Sequence, residues 1–160
     1  MTSPARGWLS WLLVTAFVLA GGCSPFPTDP DGTLDRVRGG VLRVGVSPHS
    51  PWTVVSEGSD PAGIEPDLVE EFAGRLQARV EWRVGGEEML ITELDEGSLD
   101  LVIGGLTADS PWSDKASLTK PYTDAPDATG KPVGRVMAAL MGENAFLLEL
   151  EEFLLSEARR

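Results

Sequence analysis

Apolar positions follow a strand-like and a helix-like spacing in turn along the first two thirds of this chain. Residues 41–46 form a β-rich run, residues 79–84 alternate apolar with charged, and residues 99–103 are almost continuously apolar. Between these runs, residues 66–76 and 87–95 repeat apolar side chains at helical spacing. The pattern predicts strand, helix, strand, helix, strand, which favours an α/β fold with a parallel sheet and right-handed crossovers.

The last 25 residues, 136–160, predict one more strand and one more helix. A short apolar run at 136–141 is followed by a helix over about 143–157. The helix carries an apolar stripe that suits an open face of the sheet, and its glutamates are expected to face water. The stripe consists of Phe146, Leu147, Leu150, Phe153 and Leu154.

The amino-terminal segment predicts export and lipid attachment. An apolar core at residues 8–19 follows Arg6 and ends in small residues before Cys23, the only cysteine. The stretch resembles a bacterial lipoprotein box, which implies a signal peptide over 1–22, acylation of Cys23 and an extracytoplasmic, membrane-anchored protein. The alternative is a transmembrane anchor, but the core is short for that. Three prolines within 23–33 predict a flexible tether.

Charge and composition exclude several function classes. The net charge of −12 disfavours nucleic-acid binding, and one Cys with one His leaves no disulfide and no cysteine or multi-histidine metal site. Neither a metal nor a cofactor is expected. The carboxylate pairs Glu65/Asp67 and Glu87/Glu88 are interpreted as charges at helix starts, so we predict that the chain is not an enzyme.

Six short motifs in order carry a resemblance to a known family. They are Leu42-Arg43-Val44-Gly45-Val46, Ser50-Pro51-Trp52, Gly63-Ile64-Glu65-Pro66-Asp67-Leu68, Leu94-x-x-Gly97-x-x-Asp100, Gly105-x-Thr107 and Thr119-Lys120-Pro121-Tyr122. Together they resemble the bacterial extracellular solute-binding proteins of family 3. The resemblance implies a type 2 periplasmic-binding-protein-like fold of two α/β lobes, a polar solute such as an amino acid, and an ABC importer permease as partner.

The chain has room for only one of those lobes. We expect lobe one at 34–122 and its completion at 136–160, while residues 123–135 have a linker composition that replaces lobe two. The alternative is an unrelated carboxyl-terminal helix pair. A single lobe offers one wall to a solute, so weak binding is expected.

The resemblance also assigns candidate ligand-binding residues. Trp52 matches the aromatic residue that stacks on the ligand, and Gly104, Gly105 and Thr107 match the segment that holds its polar head group. The family's carboxylate-binding Arg is replaced here by Trp112. A Trp cannot pair with the α-carboxylate of an amino acid, which disfavours amino-acid binding, and Trp52 with Trp112 suits an apolar or cationic group.

Two functions of different class fit these observations. One is a solute-binding component, weak or degenerate, of an import or sensing system. The other is a tethered interaction module of the cell envelope with no small-molecule ligand.

Overall fold

The computed structural model describes residues 27–127 and 129–159, so the predicted signal peptide and Cys23 lie outside the described residues. The helices are α1 (Thr33–Val37), α2 (Ile64–Arg75), α3 (Glu87–Asp95) and α4 (Asn144–Glu157), with a 3-10 turn at Pro111–Asp114. The strands are β1 (Val41–Val46), β2 (Arg79–Val84), β3 (Leu101–Ile103), β4 (Ser117–Leu118), β5 (Thr123–Pro126), β6 (Pro132–Arg135) and β7 (Ala138–Ala139).

A five-stranded sheet in the order β2-β1-β3-β7-β4 forms the centre of the molecule. Strands β2, β1 and β3 run parallel, with Val44 opposite Trp82 on one side and Leu101 on the other. Strand β7 is antiparallel to β3 and returns the chain toward the amino ends of the parallel strands. The predicted strand-helix alternation and parallel sheet are therefore confirmed, and the fold is mixed α/β.

Apolar layers cover both faces of the sheet. On one face, Phe72 of α2 contacts Phe146 and Phe153 of α4, at ring-centroid distances of 5.9 and 5.4 Å. On the other face, Leu90, Ile91 and Leu94 of α3 form a second buried cluster. Deep burial of such large side chains supplies most of the folding free energy, at roughly 25 cal/mol per Å² of apolar surface. The apolar stripe of the last helix thus faces the core as its spacing predicts.

One glutamate of α4 departs from the expectation that its acidic residues face water. Glu151 is only 8% exposed, and it accepts hydrogen bonds from the backbone N–H and the ammonium of Lys120 at 2.8 and 2.6 Å. Helical spacing brings residue 151 toward the buried side, and the bridge to Lys120 offsets the loss of water.

The predicted tether is shorter than its proline content indicated. Asp29 accepts hydrogen bonds from the backbone N–H groups of Ala145 and Phe146, at 2.7 and 3.0 Å, and so caps α4. In return, Glu143 accepts from the backbone N–H groups of Asp31 and Thr33 at 3.0 and 2.9 Å. Within 23–33, the portion from residue 28 onward is thus fastened to the lobe.

The segment predicted to be a linker at 123–135 is a hairpin. Strands β5 and β6 pair antiparallel from Thr123 opposite Arg135 to Pro126 opposite Pro132. Gly134 additionally accepts a hydrogen bond from the backbone N–H of Ala108 at 2.9 Å, next to the turn that follows β3. Proline and glycine content had indicated a loop, but the backbone pairs across the turn and against its neighbour.

The structure adds one observation on membrane insertion. Over residues 27–127 and 129–159, no helix combines the length and apolar character needed to cross a bilayer.

Candidate functional site

The turn after β3 lies at the carboxyl ends of the parallel strands, where ligands of open α/β sheets bind. Gly104 and Gly105 form this turn, and Gly105 has φ 65°, in the left-handed region that favours glycine. A Cβ atom on Gly105 would lie 2.9 Å from Trp52 Cδ1 and 3.0 Å from His49 Cδ2. The loop carrying Trp52 therefore packs directly on the turn because residue 105 has no side chain.

The Glu65 side chain fixes the Gly104–Gly105 turn by hydrogen bonds. One carboxylate oxygen accepts from the backbone N–H groups of both Gly104 and Gly105 at 2.9 Å, and the other accepts from the Tyr122 hydroxyl at 2.7 Å. The side chain is fully buried. Burial raises the pKa of this carboxyl above its ordinary value, although the three hydrogen bonds oppose the shift.

Glu65 lies in the first turn of α2, as the sequence predicted, but it is buried and bonds the Gly104–Gly105 turn, which was not predicted. Helix α2 begins at Ile64, and Glu65 lies on the same face as Val69 and Phe72, one and two turns farther on. The sequence did carry a signal that Glu65 is buried. Its position falls in line with the apolar residues of the helix, whereas a charge that faces solvent would lie off that stripe.

Trp52 is fixed by its loop and is largely covered. Thr53 donates from its hydroxyl to the Ser47 carbonyl and accepts from the His49 N–H, which closes the loop around the indole. Trp52 is 8% exposed and contacts the Tyr122 ring edge-on at a centroid distance of 6.4 Å. A stacking contact with a ligand stays a prediction, and the indole face is already partly occupied.

Arg135 of β6 is the group that lies over that indole. Its guanidinium carbon is 4.9 Å from the centroid of the Trp52 ring. Nη1 donates to the Gly105 carbonyl at 2.7 Å, and Nη2 donates to the Pro126 carbonyl at 3.1 Å. Sequence reasoning missed Arg135 because it placed the residue in a linker.

A pocket of about 380 Å³ opens beside the turn. Gly104, Gly105 and Thr107 line it, so the structure brings three of the five predicted ligand-binding residues to one cavity. Carboxylates dominate its charged lining, and Arg135 is the one Lys or Arg among its lining residues in the described chain. The charged and titratable lining residues are Glu87, Asp109, Asp127, Arg135 and His49. Such a lining attracts cations.

Thr107 lies on the wall of this pocket next to Asp109. A hydrogen bond from the Thr107 hydroxyl holds the pKa of the Asp109 carboxyl below its ordinary value. Asp109 therefore remains ionised at neutral pH, and the pair offers a hydroxyl and a carboxylate to a bound solute.

Trp112 lies outside the cavity lining. Its indole N–H donates to Glu87, which does line the pocket, and its side chain packs against the second apolar cluster. Ligand contact by Trp112 stays a prediction. In the structure, Trp112 acts on the pocket through the carboxylate that it positions.

A second cavity, of about 300 Å³, lies on the other side of Trp52. Its lining is mainly apolar and includes Ile64, Leu68, Tyr122 and Leu154. It offers fewer groups for recognising a polar solute than the pocket at the turn. Among the residues that the structure describes, no group of three or more potential ligating side chains is arranged to hold a metal ion.

Comparisons with known proteins agree with this architecture. A family model for bacterial extracellular solute-binding proteins, family 3, matches residues 42–132. The membrane-bound lytic murein transglycosylase F of Stutzerimonas stutzeri is 30% identical over 118 residues, which cover 71% of this chain and 23% of that protein. The probable histidine-binding protein of Campylobacter jejuni is 24% identical over 115 residues, 68% of this chain and 45% of that protein. The chain thus spans less than half the length of these curated relatives.

One solved structure matches this chain over nearly the whole length of the solved protein. The arginine-bound form of domain 1 from TmArgBP is 25% identical with a TM-score of 0.62, covering 78% of this chain and 96% of that one. The similarity supports an α/β lobe of the periplasmic-binding-protein type. From the family match over more than half of its length, the chain belongs to the bacterial extracellular solute-binding proteins of family 3.

Proposed function

We propose that this chain is a lipid-anchored, extracytoplasmic receptor lobe for a small cationic solute, such as a basic amino acid. The observation that carries the proposal is the pocket at the Gly104–Gly105 turn. Three carboxylates, Glu87, Asp109 and Asp127, line a cavity that also presents the Thr107 hydroxyl. This lining complements a cation with additional hydrogen-bonding groups.

A solved structure supports the proposal that one lobe can bind such a solute. The similar solved structure is the arginine-bound form of domain 1 from TmArgBP. That description concerns the other protein, and it supports the same arrangement here. We expect weaker binding than in a two-lobe receptor, on the order of 0.1–1 mM, because one wall leaves much of the ligand in water.

The membrane attachment in this proposal rests on the lipoprotein box at Cys23. The fastening of Asp29 to the first turn of α4 leaves only a few residues between Cys23 and the lobe. That fastening is at the amino ends of the parallel strands, and the pocket is at their carboxyl ends. An anchored lobe would therefore hold its pocket on the side away from the tether, where a permease or a free solute can approach.

A binding screen tests the proposal. The full chain, purified in detergent, is titrated calorimetrically with L-arginine, L-lysine, L-histidine and L-glutamate. The basic amino acids are expected to bind and glutamate is not. Asp109→Asn is expected to weaken the basic amino acids severalfold, while the control Asp67→Asn, on the exposed side of α2, leaves them unchanged. Absence of binding by every basic solute, or preference for glutamate, would overturn the proposal.

The second candidate is an envelope interaction module without a small-molecule ligand. The observation that favours it is the burial of Trp52 under Arg135, because the indole is then not free to stack on a solute. Under either candidate we propose that the chain acts by binding alone. The similarity to lytic transglycosylase F covers less than a quarter of that enzyme.

A further inference from the structure

The guanidinium of Arg135 lies where a bound cation would lie. It covers the Trp52 ring at 4.9 Å and donates to the Gly105 carbonyl at 2.7 Å, and the residue is only 4% exposed. An aromatic face and a backbone carbonyl are the contacts by which a protein recognises a cationic group. This internal cation comes from the hairpin β5–β6, which occupies the segment predicted to be a linker in place of lobe two.

The hydrogen bonding of Arg135 in this position is incomplete. Its two bonds go to the carbonyls of Gly105 and Pro126, and its buried Nε has no hydrogen-bond partner. Among the ion pairs of the described chain, none includes Arg135. The buried Glu65 carboxylate feels the charge of Arg135 but is not paired with it. A buried guanidinium without a direct ion pair is held less firmly than one that has such a pair.

The Arg135 side chain has a second possible position, in the acidic pocket. Arg135 lines the acidic pocket together with Asp109 and Asp127. If the Arg135 guanidinium turned outward into this pocket, it would lose the Gly105 carbonyl as a hydrogen-bond acceptor and gain the carboxylate of Asp109 or Asp127.

We propose that Arg135 is a built-in competitor for the cation subsite formed by Trp52 and the Gly105 carbonyl. The inference rests on the proposed function and adds a regulation to it. In the closed state, Arg135 fills the subsite. A solute guanidinium or ammonium enters when the Arg135 side chain turns toward Asp109 and Asp127. The apparent affinity for the solute is then reduced by the fraction of molecules that are open.

Removal of the competitor tests this inference with a probe that lacks a carboxylate. Agmatine, an alkylguanidinium, is titrated into the full chain in detergent, as wild type, Arg135→Ala and Lys131→Ala. Lys131 is an exposed cation at the tip of the same hairpin, so its removal changes the charge without opening the indole face. We expect Arg135→Ala to bind agmatine at least tenfold more tightly than wild type, and Lys131→Ala to stay within about twofold.

The outcomes separate this inference from the proposed function. Equal or weaker agmatine binding by Arg135→Ala overturns the competitor. Loss of L-arginine binding in that variant also overturns it, because Arg135 would then contact the solute carboxylate. If wild type and Arg135→Ala both bind L-arginine but agmatine affinity does not rise, the proposed function stands alone. If neither binds any basic solute, both fail. If Arg135→Ala does not fold, Arg135→Gln takes its place, with an expected gain of at least threefold and the same contradicting result.

Discussion

A fully buried carboxylate lies at each end of strand β3, and the two carboxylates differ in the hydrogen-bond donors that surround them. Before the strand, Asp100 is surrounded by cations: Arg36 Nη2 and Arg43 Nη2 both lie 2.5 Å from Oδ1. After the strand, Glu65 is bound by two backbone N–H groups of the turn and by the Tyr122 hydroxyl. The strand between them is three residues long.

The difference is visible in the ionisation of the two groups. Burial opposes ionisation of Asp100, but the hydrogen bonds from Arg43 and Arg36 outweigh it and hold the pKa below its ordinary value. At Glu65, burial outweighs the hydrogen bonds from Gly105, Tyr122 and Gly104 and the more distant charge of Arg135, and the pKa is raised. The paired guanidiniums at one end and the neutral donors at the other account for the opposite directions.

The comparison shows how one short strand serves stability at one end and recognition at the other. The Asp100 cluster ties α1 and β1 to β3 and lies far from the pocket. Glu65 instead accepts hydrogen bonds only from uncharged donors, which fix the Gly104–Gly105 turn. The nearby Arg135 guanidinium lowers the pKa of Glu65 through its charge but forms no ion pair with it. The charge character of the pocket is set by the three carboxylates and by Arg135, which line it together.

The largest effect is expected at the carboxyl end of β3. Glu65→Ala leaves two backbone N–H groups and the Tyr122 hydroxyl buried without an acceptor, which should destabilise the fold by about 3–5 kcal/mol. Urea unfolding at pH 7 measures the change, with Asp67→Ala, an exposed neighbour on α2, expected within about 0.5 kcal/mol of wild type. A Glu65→Ala variant whose free energy of unfolding is within about 1 kcal/mol of wild type would show that the hydrogen bonds to Glu65 are dispensable for stability.

A smaller loss is expected at the amino end. Asp100→Ala removes the shared partner of Arg36 and Arg43, but these guanidiniums are 41% and 32% exposed and can recover water. We expect a loss of about 2–3 kcal/mol in the same unfolding experiment, with affinity for basic solutes unchanged in the folded variant. A change in solute affinity larger than about threefold would contradict the assignment of stability to the Asp100 end of β3 and of recognition to the other end.

The two carboxylates should also give stability opposite dependences on pH. Asp100, whose pKa is lowered by folding, contributes stability that is present above its unfolded pKa of about 3.9 and is lost as pH falls through its folded value. Glu65, whose pKa is raised, binds protons more readily in the fold, so stability rises as pH falls through its folded value toward about 4.3.

Unfolding free energies between pH 3 and pH 8 separate the two contributions. Asp100→Asn should flatten the loss at the acidic end, and Glu65→Gln should remove the gain on mild acidification. Each effect scales as about 1.4 kcal/mol per unit of pKa change. Parallel profiles for wild type and Glu65→Gln above pH 4 would contradict the raised pKa of Glu65.

The sequence predicted the parallel core, because it follows from periodic signals, and three of the residues that it proposed for ligand binding line one cavity. Strands β1 and β2 and helix α3 lie at the predicted bounds, and Gly104, Gly105 and Thr107 line one cavity. It did not predict the contacts that join distant segments. Arg135 reaches Gly105 across 30 residues, and Asp29 caps α4 across 116. Neither contact leaves a periodic trace, and prolines and glycines around each concealed ordered backbone.

The smallest expected effect tests whether recognition extends from the turn into the pocket. Thr107→Val keeps the shape of the side chain but removes the hydroxyl that bonds Asp109. A solute that uses this hydroxyl should bind about three- to tenfold more weakly, while the melting temperature changes little because residue 107 is only partly buried. The control is Thr92→Val on α3, whose hydroxyl bonds the Glu88 carbonyl on an exposed helix face. Calorimetric titration with L-arginine should separate the two variants. If both bind equally well, the wall at Thr107 takes no part in recognition and the polar contacts end at the two glycines of the turn.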